Sequence, residues 1–272
     1  MIIHKNPSRE DVVGYLAKHF ISLGWFDKTP GARAVENSGR GCYNNASGFL
    51  ISVQNQWFWV TAGHIFEDIK TAIDTGQKLG EWHLDDSDAL GARSNMPIPF
   101  DFDNAFRTYF YDEDSGVDYA LIYLEPYYRN LLQRNNIEPL NEQAWRVGLP
   151  EDFDFYFLIG IPDECVQPQM NAEVIIKGCM LIPVQRIDDP PEEILTDMPR
   201  LYFKISVINI NIQGMSGGPI FGFRKNNEGQ LKYWVIALQS GLFKNKRIIT
   251  ACPIQNFADW IDSVLEKILY KK

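Results

Sequence analysis

The chain has 272 residues, 45% of them hydrophobic and 22% charged. That is enough for one or two domains able to bury about three quarters of their unfolded surface without a disulfide or a metal. Its 26 basic and 35 acidic residues leave a net charge of −9, which argues against the clustered Lys and Arg of a phosphate-binding surface and so against nucleic acid as a partner. No apolar run approaches the roughly 18 residues of a membrane span, and MIIHKNPSREDVV lacks the apolar core of a secretion signal. The expectation is a cytoplasmic protein with no membrane partner.

In chain order, Ser8 to Leu23 reads as an amphipathic helix. Ser8 and Asp11 suggest a capping box, and Val12, Leu16, Phe20 and Leu23 fall at helical steps. From Gly48 the texture changes to short β runs, GFLISV and QWFWVTA. A helical IFEDIKTAI follows, then a polar, Pro-containing region to about Phe100, then two more strand candidates, RTYFYD and DYALIYL. Residues 125–150 read as a connector with some helix. A second β-rich block runs through DFDFYFLIGIP, AEVIIKGCMLIPV, LYFKISVINI, GGPIFGF, KYWVIALQSG and RIITACPI, interrupted by the acidic loop DDPPEEILTDMP. Phe257, Trp260, Ile261, Val264, Leu265 and Ile268 recur at helical steps and predict a C-terminal amphipathic helix.

These elements predict an all-β chain of two β-domains side by side, each a barrel or a sandwich, flanked by an N-terminal and a C-terminal helix. The expected boundaries are 1–39 for a helical extension, 40–140 and 141–255 for the two β-domains, and 256–272 for the last helix. The four cysteines, Cys42, Cys165, Cys179 and Cys252, show no C-x-x-C and no Cys/His cluster at metal spacing. They read as reduced thiols, with no metal and no cofactor. Asn45-Ala46-Ser47 matches the glycosylation triplet, a chance match where no secretion signal precedes it.

The stretch QGMSGGPIFG, residues 213–222, sets Ser216 among Gly214, Gly217 and Gly218. A serine hydroxyl needs a base to take its proton and N–H donors to hold the oxyanion that forms. Glycine permits the unusual backbone that aims two N–H groups at one point. A plain Gly-rich turn between strands would look the same. Of the four histidines, His4 lies at the terminus, His19 in the predicted first helix and His83 among acids in EWHLDDSD. His64 ends the aromatic run WFWVTAGHIF at a small-residue turn. On its own it is more readily a structural histidine than a base. Asp118 heads the apolar strand VDYALIYL, where a carboxylate needs a partner, and an imidazole N–H suits it.

TAGHIF, DYALI and GMSGGPI, in that order, resemble the trypsin-like (chymotrypsin-fold) serine peptidases. The resemblance spans residues 40–270 and implies two β-barrels with the site between them. It implies that Ser216 is the nucleophile, His64 the general base and Asp118 the group that orients it. The backbone N–H groups of Gly214 and Ser216 would line the oxyanion hole. Protein or peptide is the implied substrate, and a regulatory protein partner is an expectation for an intracellular member. The resemblance also places Ile210 at the floor of the primary pocket and Gln239, Ser240 and Gly241 along the substrate backbone. Ile65 stands where many secreted relatives have a cysteine, and Met215 where they have the Asp that receives a freed N-terminus. Both departures suit intracellular bacterial or viral members. The competing expectation is the same fold kept as a silent or gated peptide-binding module.

Overall fold

The computed structural model describes residues 2–3, 9–29, 42–85, 96–165, 167–168, 175–176, 178–205 and 211–269. The chain runs through β1 (Ile2–Ile3), α1 (Arg9–Ala17), β2 (Phe20–Asp27), β3 (Cys42–Val53), β4 (Gln56–Thr61), α2 (Gly63–Asp74), β5 (Leu79–Asp85), β6 (Ile98–Pro99), β7 (Arg107–Asp112) and β8 (Val117–Leu124). Helices α3 (Pro126–Arg134) and α4 (Glu142–Trp145) cross to the second half. There follow β9 (Phe155–Gly160), β10 (Gln167–Pro168), β11 (Ile175–Ile176), β12 (Met180–Ile187), β13 (Leu201–Ile205), β14 (Pro219–Lys225), β15 (Leu231–Phe243), β16 (Ile248–Pro253) and α5 (Ala258–Leu269).

The first half is a seven-stranded antiparallel sheet ordered β6-β5-β2-β3-β4-β8-β7. The second orders β1-β15-β14-β9-β12-β13-β16, and β16 pairs back onto β15, so six of its strands close a barrel. The fold is thus all-β and two-part, as expected, with helices toward both ends; the second half closes as a barrel, and the first is a seven-stranded sheet whose end strands β6 and β7 do not pair with each other among the described residues.

Side-chain alternation explains how two sheets share one interior. Along β3, β4 and β8, Leu50, Trp59 and Ile122 face a core inside the first sheet with Trp57, Phe66 and Trp82. Their alternates Phe49, Ile51, Phe58, Val60 and Leu121 face a second core, shared with Phe221, Tyr233 and Val235 of the other half. Strands buried on both faces lose the polar–apolar alternation and read as continuous apolar runs. A third cluster, including Leu158, Ile182, Phe203, Met215 and Ile249, fills the closed barrel. Helix α5 lays Ile261, Val264 and Leu265 into the shared core, and Arg146, just beyond α4, pairs with its Asp262.

The N-terminal helix is shorter than expected. It ends at Ala17, and Phe20 and Leu23 lie in β2. Residues 20–25 of β2 are all buried, and a strand covered on both sides can carry apolar residues at spacings that also fit a helix. The first sheet therefore begins inside the segment 1–39. Ser8 lies outside the described residues. The polar region before Phe100 holds an unforeseen strand, β5, which pairs with β2 across a bulge between Gly24 and Phe26. Among the described residues, no helix is long and apolar enough to cross a membrane.

Candidate active site

Thr61 ends β4, Ala62 turns the chain, and α2 starts at Gly63, so His64 stands in the first turn of a helix. Tight packing sets this start, because a Cβ on Gly63 would lie 2.2 Å from the Phe110 carbonyl oxygen of β7. Strand β8 pairs with β4 through Thr61 and Ala120, which brings Asp118 opposite the helix start. The Asp118 carboxylate accepts the His64 backbone N–H at 2.8 Å and the His64 ring Nδ1 at 2.8 Å. It therefore both caps α2, whose first N–H groups lack partners within the helix, and fixes the imidazole.

Asp118 is only 1% exposed. The hydroxyl of Ser240 donates to its Oδ2, giving this buried carboxylate three donors. A carboxylate can only accept, so the His64 proton sits on Nδ1 and the lone pair on Nε2. Burial works against the His64 imidazolium, but the hydrogen bond and charge of Asp118, supported by Asp68, outweigh it and raise the pKa above 6.5. The Tyr111 ring meets His64 edge-on at 6.0 Å, and Tyr111 pairs directly with Asp118 across β7 and β8.

The serine turn lies at the same junction, reached from the second half. Gly214 and Gly217 have φ of +90° and +84°, the left-handed region that side chains disfavour. Space is also absent. A Cβ on Gly217 would lie 2.0 Å from Thr61 Oγ1, and one on Gly214 2.0 Å from Asp163 Oδ1. Gly218 has ordinary φ but abuts the Ile159 carbonyl. Ser47 of β3 ties the parts together: its hydroxyl accepts from Ile161 N at 3.0 Å and donates to the Gly214 carbonyl at 3.4 Å, and its carbonyl accepts from Thr61. Met215 is fully buried, its side chain packed against the backbone of Gly160, where a Cβ would lie 2.9 Å from it.

Within this turn the N–H groups of Met215, Gly217 and Gly218 donate to Ile212, Gln239 and Met215 carbonyls. Among the described residues, those of Gly214 and Ser216 have no acceptor. Ser216 is half-buried. Its hydroxyl makes no direct hydrogen bond to His64 among the described residues. In unliganded sites such bonds are often long and tighten only with substrate.

The other expected positions divide. The Gln239 backbone does not remain open for a substrate, because its N–H and carbonyl are spent on Gly218 and Gly217. Its side chain is buried and donates to the Gly241 carbonyl. The Ser240 side chain serves Asp118. Strand β14 pairs with β15 only as far as Leu238, so beyond it β15 has β16 on one side and, among the described residues, no strand on the other. Gly241 lies on that open edge. Ile210 lies outside the described residues, as does His4. His19 is buried between the halves, and His83 lies against Tyr43 in β5. Sequence reasoning missed Ser47, Thr61, Tyr111 and Asp163, since contacts between separate strands leave no local signal.

No family model matches the chain, and no curated protein does. Several solved structures are similar to it. Neuropsin, a serine protease expressed in the limbic system of mouse brain, is 14% identical with a TM-score of 0.47, covering 93% of this chain and 96% of its own. The thermostable serine protease AL20 from an extremophilic microorganism is 13% identical, with a TM-score of 0.44 and coverage of 90% and 94%. A catalytically inactive tobacco etch virus protease complexed with substrate is 10% identical, with a TM-score of 0.41 and coverage of 91% and 81%.

Proposed function

We propose that the chain is a serine endopeptidase that works in the cytoplasm and hydrolyses peptide bonds through an acyl-enzyme. The observation that carries this reading is the buried Asp118 carboxylate gripping His64 by both backbone and ring, with the Ser216 turn seated on neighbouring Thr61. His64 Nε2 takes the Ser216 proton as Oγ bonds to the substrate carbonyl carbon, whose oxygen gains the charge. The N–H groups of Gly214 and Ser216, unspent among the described residues, suit that oxyanion. Collapse breaks the C–N bond and the amine departs with the proton from His64. Water then repeats the sequence and frees the acid. The substrate's acyl side would add a strand along the open edge of β15, with backbone pairing supplying affinity.

A fluorophosphonate should label the protein at Ser216, and Ser216→Ala should abolish labelling and lower kcat on the order of a million-fold. Equal residual cleavage of casein by wild type and variant would remove the enzyme reading. A pH series provides a second check. His64 must be neutral to act as base, and its pKa is raised above 6.5. Activity should therefore rise with pH, with kcat/KM reaching half its plateau above 6.5 rather than below it.

A further inference from the structure

One acidic side chain beside the serine turn has no part in the triad. Asp163 follows β9 and Pro162, and its N–H donates to the Gln213 carbonyl at 2.8 Å, which straps it to the residue before Gly214. Its Oδ1 fills the place where a Gly214 side chain would begin. The residue is nonetheless exposed. Among the described residues it has no ion-pair partner, and its side chain has no hydrogen-bond donor.

Its flank of the turn follows from the sheet order. Strand β14, which leaves the serine turn, lies between β15 and β9. On the β15 side, Gln239 holds Gly217 and Gly218. On the β9 side stand Ile159 against Gly218 and Asp163 against Gly214. A substrate whose acyl part pairs with the open edge of β15 and whose scissile bond crosses Ser216 has its leaving-group part directed to the Asp163 flank.

We propose that Asp163 is a specificity determinant for the leaving-group side of the substrate, favouring a lysine or arginine within the first two residues after the scissile bond. The inference rests on the peptidase reading. A carboxylate set against the turn backbone, with no cationic partner among the described residues, attracts a cation more strongly than a freely solvated one, since less water screens it. Although the residue as a whole is exposed, desolvation where its carboxyl meets the turn raises its pKa from the ordinary value, and an arriving cation would relieve that cost. A glutamate at the same substrate position would meet like charge.

The test is a set of internally quenched peptides identical except for Lys, Gln or Glu at the first and second positions after the cut. Cleavage is measured for wild type, Asp163→Asn and Asp163→Lys. The readout is the ratio of kcat/KM between Lys and Gln peptides. Any general effect of the carboxylate on the oxyanion turn cancels in that ratio. Wild type should favour Lys by about tenfold, Asp163→Asn should bring the ratio near one, and Asp163→Lys should turn the preference toward Glu. A wild-type ratio near one, or a preference that survives in Asp163→Asn, overturns the proposal and leaves the peptidase reading standing. If wild type cleaves no peptide and Ser216 takes no fluorophosphonate, both fall.

Discussion

Asp118→Asn is expected to lower kcat/KM on the order of ten-thousand-fold in a chain that still folds. Three donors converge on the carboxylate: the His64 backbone N–H at Oδ1, and the His64 ring and the Ser240 hydroxyl at Oδ2. An asparagine amide offers one accepting oxygen and one donating NH2. With the NH2 toward His64 Nδ1, the ring proton must move to Nε2, so the base loses its lone pair where Ser216 needs it. With the NH2 toward the backbone, it faces the His64 N–H, two donors meet, and α2 loses its cap. Either way the negative charge that raises the His64 pKa is gone. Circular dichroism should show the fold retained, fluorophosphonate labelling of Ser216 should slow in parallel with kcat/KM, and Ser240→Ala should cost far less. An Asp118→Asn enzyme within tenfold of wild type would mean that the carboxylate serves the helix start and not the chemistry.

Asp118 was legible for a physical reason. It stands at the head of VDYALIYL, where both neighbouring faces are apolar, and a buried charge in such a place must be satisfied by donors. His64 and Ser216 were legible through the glycines and small residues around them, which mark places where backbones approach closely. The resemblance sets Ser240 along the substrate and says nothing of its hydroxyl, which donates to Asp118. Strand β15 shifts register between Gln239 and Gly241, so alternation along the chain no longer tells which face a side chain takes. Strand β2 was hidden by its own burial, since Phe20 and Leu23 continued the helical spacing of Val12 and Leu16 by coincidence. Strand β5 was hidden by its bulge, where Glu81 has a φ of +53° and breaks the alternation of a polar-looking segment. Asp163 leaves no signal among its neighbours in sequence, because it meets Gly214 only through the crossing of the β9 exit over Gln213.

The misread segment also holds the strongest stability prediction. His19, at the joint of α1 and β2, is fully buried. Its Nδ1 donates to the Glu138 carbonyl at 2.6 Å, and its Nε2 accepts from the Tyr233 hydroxyl at 2.8 Å, so one neutral ring bridges the connector and the second half. A second proton would have to displace the Tyr233 O–H in a fully buried site. Burial accordingly lowers the pKa from 6.5 to about 3. The sign follows from proton counting. Between pH 6.5 and 3 the unfolded chain holds a proton on this residue that the native state refuses, so stability falls as pH falls through that window and levels off below it. From pH 7 to pH 5 the loss should be about 2 kcal/mol, before most carboxylates begin to titrate. His64 runs the other way, since its raised pKa favours the native state toward acid, and single-site comparison separates the two. Urea denaturation of His19→Gln, which can still donate and accept, should show a lower stability at pH 7 and about 2 kcal/mol less loss between pH 7 and 5 than wild type. If the two proteins lose stability in parallel over that range, His19 is not held neutral by the junction, and the bridge between the halves is made some other way.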